Sequence, residues 1–371
     1  MSKLTKYKFS DLYEMSSGIS SSKEQAGHGS PFISFSTVFN NYFLPEELPD
    51  LMDTSLKEQE IFSVKKDDVF ITRTSETVDA LAMSCVAVKD YPKATFSGFV
   101  KRLRPKTTGI VYSKYIAFFL RSKYFRKVLD CNTIMTLRAS FNEDMFSFLY
   151  LYLPDYEEQV RIGDLLYKME MKIRTNNKIN DNLTAMAYDI YMHSFFSKKP
   201  NAKLKDILVE ADKSSVQVGE AKQSTGEYPF FTSGSAILKW DTPFIDGRNC
   251  FLNTGGNADV KFYVGEAAYS TDTWCISANN MSDYLYLLLV SIKPELNQKF
   301  FQGTGLKHLQ KPLLKDRPIY IPDFEELKTF NEQVTPMFNI ISENTRENQE
   351  LITLRDWLLP MLMNGQATIS D

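Results

Sequence analysis

At 371 residues, 43% hydrophobic and 24% charged, the chain has the composition of an ordinary globular protein long enough for two or three domains. A net charge of −3 supplies no global field for a polyanion, so any nucleic-acid contact must rest on local patches. No apolar run approaches the roughly 20 residues of a membrane span. The start, Met1-Ser-Lys-Leu-Thr-Lys6, lacks the apolar stretch of a secretory signal, and Cys85, Cys131, Cys250 and Cys275 form no Cys-x-x-Cys pair. These features point to reduced thiols in a cytoplasm and away from a structural zinc site.

Residues 1–150 read as a β-rich domain. Short strands are predicted at Pro31-Phe-Ile-Ser-Phe35, Asp68-Val-Phe-Ile-Thr72, Met83-Ser-Cys-Val-Ala-Val88 and Thr95-Phe-Ser-Gly-Phe-Val100, separated by turn-forming clusters. One helix is predicted over 114–129, where Tyr115, Phe118, Phe119 and Phe125 fall near helical spacing. The densest basic cluster is Lys101-Arg-Leu-Arg-Pro-Lys106, followed by Arg121, Lys123, Arg126 and Lys127, with Tyr112, Tyr115, Tyr124 and Phe125 interleaved. Lys and Arg in such a run either contact phosphates and guanine edges or form a solvated basic face.

Residues 151–199 begin Leu151-Tyr-Leu-Pro-Asp-Tyr-Glu-Glu-Gln159, and residues 319–371 begin Ile319-Tyr-Ile-Pro-Asp-Phe-Glu-Glu-Leu327. A shift of 168 residues superimposes the two without a gap, with ten identities in 46 positions. In the first copy Ile162, Leu166, Met169, Ile173, Asn176, Asn180, Leu183, Ala187 and Ile190 alternate spacings of four and three, the seam of a coiled coil. The second copy places Phe330, Val334, Met337, Ile341, Asn344, Asn348, Leu351, Arg355 and Leu358 at the same positions. Packed antiparallel, the helices would set Asn176 against Asn348 and Asn180 against Asn344. Pro336 is expected to bend or restart the second helix, and Pro360 to help end it. Between the copies, residues 200–318 echo the first domain. Lys205-Asp-Ile-Leu208 parallels Ser10-Asp-Leu-Tyr13, and Pro229-Phe-Phe-Thr-Ser233 parallels Pro31–Phe35. Strands are predicted around Cys250–Asn253 and Lys261–Val264, and a helix near 284–292. The plan is domain–helix–domain–helix.

Signatures of catalysis are missing. There is no Gly-x-Gly-x-x-Gly opening a helix, no P-loop and no Asn/Asp-Pro-Pro-Tyr/Phe motif of amino-methyltransferases; Gly303-Thr-Gly-Leu-Lys-His308 and Asn253-Thr-Gly-Gly-Asn257 read as turns. A nuclease pattern drawn from Pro154-Asp155 and Glu170-Met-Lys172 would put its carboxylate and lysine on the heptad helix instead of a strand. His28, His193 and His308 lie far apart, and no metal or cofactor is expected.

This arrangement resembles the specificity subunits of type I restriction-modification systems. The resemblance covers the whole chain and is carried by the helix entries, Leu153-Pro-Asp-Tyr-Glu-Glu-Gln159 with Ile162 and Leu166, and Ile321-Pro-Asp-Phe-Glu-Glu326 with Phe330 and Val334, together with Tyr228-Pro-Phe-Phe-Thr-Ser233. The second copy departs from the pattern in Leu327, where Gln is expected, and in Pro336. The resemblance implies an α+β fold of two target-recognition domains (1–150 and 200–318) in tandem, each followed by a helical spacer (151–199 and 319–371), the two helices forming an antiparallel coiled coil. It implies that each domain reads one half of a bipartite, asymmetric double-stranded DNA site while the helices set the spacing and dock two methyltransferase subunits. Restriction and translocase subunits would supply cleavage in the full complex, in a prokaryotic cytoplasm, and the chain itself would be non-catalytic.

Base readers are then expected on strand-borne loops: Lys23, Arg73, Lys101, Arg102, Arg104 and Arg138 in the first domain, and Thr232, Ser233, Lys239, Lys261, Lys307 and His308 in the second. Arg138 and Lys307 precede the helical copies by similar distances and are candidates for equivalent loops. The last 53 residues carry nine acidic and three basic residues, an excess expected to face protein and not phosphate. Two other classes stay open at this stage: a scaffold with two interaction domains and no DNA role, and a self-contained restriction or methylation enzyme.

Overall fold

The computed structural model describes residues 3–20, 22–75, 80–132, 139–303, 305 and 307–369. It divides into two compact units, Met1–Met171 with Leu351–Asp371, and Lys172–Glu350. Each unit holds one β-rich domain and a segment of both long helices, Tyr156–Phe195 and Phe324–Met363.

In the first unit, Thr5–Lys8 pairs antiparallel with Tyr150–Leu153, the strand that leads into the first long helix. An antiparallel sheet of four follows in the order Tyr13–Ser17, Val100–Pro105, Val69–Thr72, Ser84–Val86. A second sheet sets Ala26–Ile33 antiparallel to Asp50–Met52 and parallel to Thr95–Phe96. The predicted strand 95–100 is two strands serving two sheets, because Ser97, Gly98 and Phe99 turn between them; the Gly98 N–H donates to the Ile19 carbonyl at 2.7 Å. The strand predicted over 31–35 ends at Ile33, where Ser34 caps the short helix Phe35–Asn40 through the Thr37 N–H. The predicted helix 114–129 is also two, Ser113–Phe119 and Lys123–Asn132. Ser122 Oγ accepts the Phe125 N–H at 3.2 Å and starts the second, while Arg126 donates to the Leu120 carbonyl and closes the first. Their apolar faces meet Phe9, Tyr13 and Phe141 in a core of edge-on aromatic pairs, such as Phe9 and Tyr13 at 5.6 Å.

The second unit repeats this order. A four-stranded antiparallel sheet runs Val209–Glu210, Thr273–Ser277, Arg248–Asn253, Val260–Val264. A second sheet sets Tyr228–Phe231 antiparallel to Ile237–Trp240 and parallel to Ala268–Tyr269. Ala202–Lys203 pairs with Pro318–Ile319 as Thr5–Lys8 pairs with Tyr150–Leu153. The 229–233 and 31–35 segments therefore share a topological position.

The repeated phrase Pro-Asp-aromatic-Glu-Glu is a helix start. Asp155 accepts the Glu158 N–H at 2.8 Å, and Asp323 accepts the Glu326 N–H at 2.9 Å. Glu326 returns to the Asp323 N–H, completing a capping box. The Tyr320 hydroxyl and the Lys198 ammonium hold the Glu326 carboxyl down at about 2. The next position diverges: buried Gln159 bonds the Tyr112 N–H and the Ile110 and Pro154 carbonyls, while Leu327 packs into the second core. At Gly163 the first long helix approaches the 112–115 turn so closely that a Cβ would lie 2.8 Å from the Tyr115 nitrogen.

The second long helix is unbroken through Pro336, contrary to the expected restart. Pro336 and Glu332, whose carbonyl loses its intrahelical donor, are both exposed residues. The helix also runs three residues past Pro360 and ends in a Schellman turn: Gln366 N–H to Met361 O at 2.9 Å, Gly365 N–H to Leu362 O at 3.4 Å, with Gly365 at φ 67°.

Every seam position is buried or half-buried. In the first unit Ile162, Leu166 and Met169 share a cluster with Leu358, Leu359, Leu362 and Met363, and Arg355 pairs with Glu170 at 3.1 Å. In the second, Ala187 and Ile190 share one with Phe330, Val334, Met337 and Ile341, while Ile173 is buried and Leu183 half-buried; Leu351, at the edge of the first unit, is half-buried. Asn176, 1% exposed, donates to Asn348 Oδ1 at 2.9 Å, and Asn344 donates to Asn180 Oδ1 at 2.8 Å. Asn348 donates in turn to Asn177, and Asn176 to Glu347. The segments run antiparallel. We expect Asn176→Leu alone to destabilise by about 1–3 kcal/mol, because Asn348 loses the donor to its carbonyl oxygen. The Asn176→Leu/Asn348→Leu double variant should cost less than the two singles together. A double-mutant cycle in urea that came out additive would remove the coupling.

Candidate nucleic-acid interface

In each domain the four-stranded sheet has one end against a long helix and one end away from it. In the first, the start of Val69–Thr72 lies at the helix end: Ser113 bonds Asp67, and the neighbouring Tyr112 hydroxyl bonds Asp164 on the helix at 2.7 Å. In the second, Arg248 opens its strand by bonding Asp283, Asn339 and the Thr335 carbonyl, and the Val264 N–H donates to Ser342, with Thr335, Asn339 and Ser342 all on the helix. The far ends are therefore Thr72–Arg73 with Phe99–Val100, and Asn253–Thr254 with Asp272–Thr273.

Hydrogen bonds place these ends in one register. Arg73 N–H donates to Phe99 O at 2.9 Å, and Phe141 N–H to Arg73 O at 2.8 Å. Thr254 N–H donates to Asp272 O at 3.0 Å, and Leu309 N–H to Thr254 O at 3.0 Å. Arg73 thus corresponds to Thr254, Phe99 to Asp272 and Phe141 to Leu309. Ser140, paired with Thr74, corresponds to His308, bridged to Gly255. By this register Lys307 stands opposite Ala139; Arg138, the expected counterpart of Lys307, lies outside the described residues.

Within the basic cluster of the first domain Lys101, Arg102 and Arg104 are turned inward, which corrects the expectation for these three, while Lys106, Lys123 and Lys127 are exposed. Lys101 is 6% exposed and bonds Ser17 and Glu143. Arg102, 8% exposed, donates to the Ser63 carbonyl and lies over Phe96; burial pulls its guanidinium below the ordinary value. Arg104 forks onto fully buried Asp68 at 2.7 and 2.6 Å, and that hydrogen bonding holds its proton more firmly than usual. Arg121 and Arg126 are likewise committed to backbone carbonyls. Lys23, in the turn Lys23–Gln25, and Arg73 are exposed.

In the second domain Lys261 spans to the carbonyls of Thr232 and Gly234, and burial lowers its pKa. Thr232 is buried and its hydroxyl donates to the Gly234 and Ala236 carbonyls. Both therefore shape the loop whose half-buried member is Ser233, correcting the expectation that they read bases. Lys239 is half-buried on an outer strand opposite Pro229, while Lys307 and His308 are exposed at the far end of the main sheet. Arg73, Lys307 and His308 are thus the expected readers at the far ends, with Lys23, Ser233 and Lys239 elsewhere. Phe99, 64% exposed, and exposed Asp272 were missed, because a search for cations passes over an aromatic and a carboxylate.

No group of three or more His, Cys, Asp or Glu able to hold a metal occurs among the described residues, and no described helix is long and apolar enough to cross a membrane.

Comparison with known proteins gives this geometry a family. The chain belongs to the type I restriction modification DNA specificity domain family, whose model matches residues 1–185 and 198–353. Over 419 aligned positions it is 20% identical to the specificity subunit of the type I restriction enzyme MjaIX of Methanocaldococcus jannaschii, covering 98% of this chain and 93% of that one. The solved structure of the type I restriction-modification S subunit from M. genitalium shares the fold, with a TM-score of 0.65 at 13% identity, over 97% of this chain and 96% of that one.

The inward commitment of Arg104 is testable. We expect Arg104→Gln to cost roughly 2–3 kcal/mol, less than the 3–5 of breaking a fully buried pair because the guanidinium is 26% exposed, by leaving Asp68 uncompensated. The DNA sequence preferred should be unaffected; a changed preference in a selection from random duplexes would return Arg104 to the readers.

Proposed function

We propose that this chain is the non-catalytic, sequence-reading subunit of a type I restriction-modification assembly, and that each β-rich domain reads one half of a bipartite, asymmetric duplex site with the sheet end remote from the long helices. The carrying observation is that two domains of one strand order, each matched by the DNA specificity family model, present different side chains at equivalent far-end positions. A pair of identical readers would suit a symmetric site; two diverged readers suit an asymmetric one.

The 40-residue helices serve as the spacer in this reading. At ~1.5 Å per residue each extends about 60 Å, ample for half-sites one turn of B-DNA, roughly 34–36 Å, apart. Two methyltransferase subunits dock on the helical pair, supply the methyl donor site and receive the acidic excess of the second helix; restriction and translocase subunits join them, in a prokaryotic cytoplasm. Trp357, 63% exposed on that helix, suits such a contact.

The methylated motif of cells carrying the chain with its methyltransferase partners is expected to be bipartite, and duplex binding should weaken steeply with salt. Four residues inserted into either long helix should lengthen the gap between half-sites by about one or two base pairs, at ~6 Å of added helix and ~3.4 Å per base pair, with both half-sites intact. Exchange of residues 1–150 for a relative's segment should do the reverse. Altered half-sites in the insertion variant would refute the division between reading and spacing.

A further inference from the structure

We propose that Arg73 and Phe99 are specificity-determining residues of the first domain: Arg73 reads a guanine and Phe99 contacts the methyl group of a neighbouring thymine. This rests on the functional reading above, in which the far sheet ends face the duplex.

Arg102, Arg104, Arg121 and Arg126 each place their guanidinium on short contacts inside the domain. Arg73 is exposed, and among the described residues its one side-chain hydrogen bond is to the Gly98 carbonyl at 3.5 Å, the limit of such a bond. Among the described residues it has no carboxylate partner. Its backbone, by contrast, is fixed on both sides, to Phe99 and to Phe141. The Cα is anchored to a sheet while the planar fork is left for something outside, the arrangement that bidentate recognition of guanine O6 and N7 needs.

Phe99 is the residue across that hydrogen bond. Its N–H is tied to Ser97 Oγ at 3.2 Å, so the turn holds its ring outward at 64% exposure, while Val100 beside it is fully buried. A single exposed aromatic is unremarkable by itself. Set beside an uncommitted guanidinium at a strand end, it supplies the apolar contact that distinguishes a thymine methyl.

The second domain sharpens the assignment. At the position of Arg73 it holds Thr254, whose hydroxyl is committed to the Asp272 carbonyl at 3.0 Å. At the position of Phe99 it holds Asp272, an exposed carboxylate. A carboxylate accepts from the cytosine amino group and is repelled by the acceptors on guanine. One corner of the fold thus carries opposite chemistry in the two halves.

The test uses the complete complex with its methyltransferase partners, reading the methylated motif by sequencing chromosomal DNA. Arg73→Thr should relax discrimination at one guanine, roughly 10- to 100-fold, in the half-site read by the first domain, leaving the other half-site alone. Arg73→Lys keeps the charge and gives up the planar fork: it should keep the salt dependence of duplex binding and weaken the guanine preference. For Phe99, replacing thymine by uracil in the bound duplex should weaken the native complex, and Phe99→Ala should abolish the difference. A bipartite motif unchanged in Arg73→Thr, a guanine preference undiminished in Arg73→Lys, or thymine and uracil bound alike by the native complex overturns the corresponding assignment. A native motif that is not bipartite overturns the functional reading itself.

Discussion

The structure depends on two asparagine side chains facing each other in a helix seam. An apolar heptad seam alone satisfies itself almost equally well after a slip of one heptad, since every Leu or Ile finds another. Asn176 and Asn348, both nearly inaccessible to water, do not: moved one heptad, each would lose its amide partner and Asn348 would face an apolar seam residue. The Asn344–Asn180 bond one turn away makes the same demand. The polar layer forfeits some hydrophobic stabilisation and in return specifies one alignment.

The basic residues show a second economy. Arginine is common in the first domain, yet most of it is scaffolding. Arg121 alone donates to the carbonyls of Ser84, Val38, Phe39 and Asn41, reinforcing segments that the single bridge of Phe43 to Val86 joins. A guanidinium suits this work because its five donors lie in one plane and can satisfy several buried carbonyls at once. The consequence for recognition is that local density of positive charge is a poor guide to the DNA face. On the proposed reading that face is marked by the exception, a guanidinium anchored by its backbone and, among the described residues, held only by one long contact to a carbonyl.

How much of this was legible in the sequence follows from how local each cause is. The long helices were, because a 3.6-residue period and a Pro-Asp-aromatic-Glu-Glu cap are written in consecutive residues. The tandem order of the domains was legible through the duplication. The break at Ser122 was not: its hydroxyl starts a helix only because Arg126 turns back to close the preceding one. Pro336 misled because its cost depends on whether the orphaned carbonyl of Glu332 meets water or protein, a tertiary fact. The reader residues were the least legible, since Lys101 and Arg73 look alike in sequence and differ only in burial.

The two far ends show how a duplicated reader can change its target without losing its fold. The last strand residue before each far-end loop is buried and polar, Thr72 in one domain and Asn253 in the other. Each spends its side chain on the loop that follows. The Thr72 hydroxyl donates to the Ala80 carbonyl and accepts the Met83 N–H, while the Asn253 amide donates to the carbonyls of Gly255 and Asn257 and accepts the Asp259 N–H. The loop base is therefore held by one buried residue whose partners are backbone atoms, which are present whatever side chains the loop carries. The next residue outward, Arg73 or Thr254, and its neighbour across the strand, Phe99 or Asp272, bear none of that load through their side chains beyond one long contact and one hydroxyl bond. Substitution there changes what the domain presents to a ligand at little cost to the sheet that presents it.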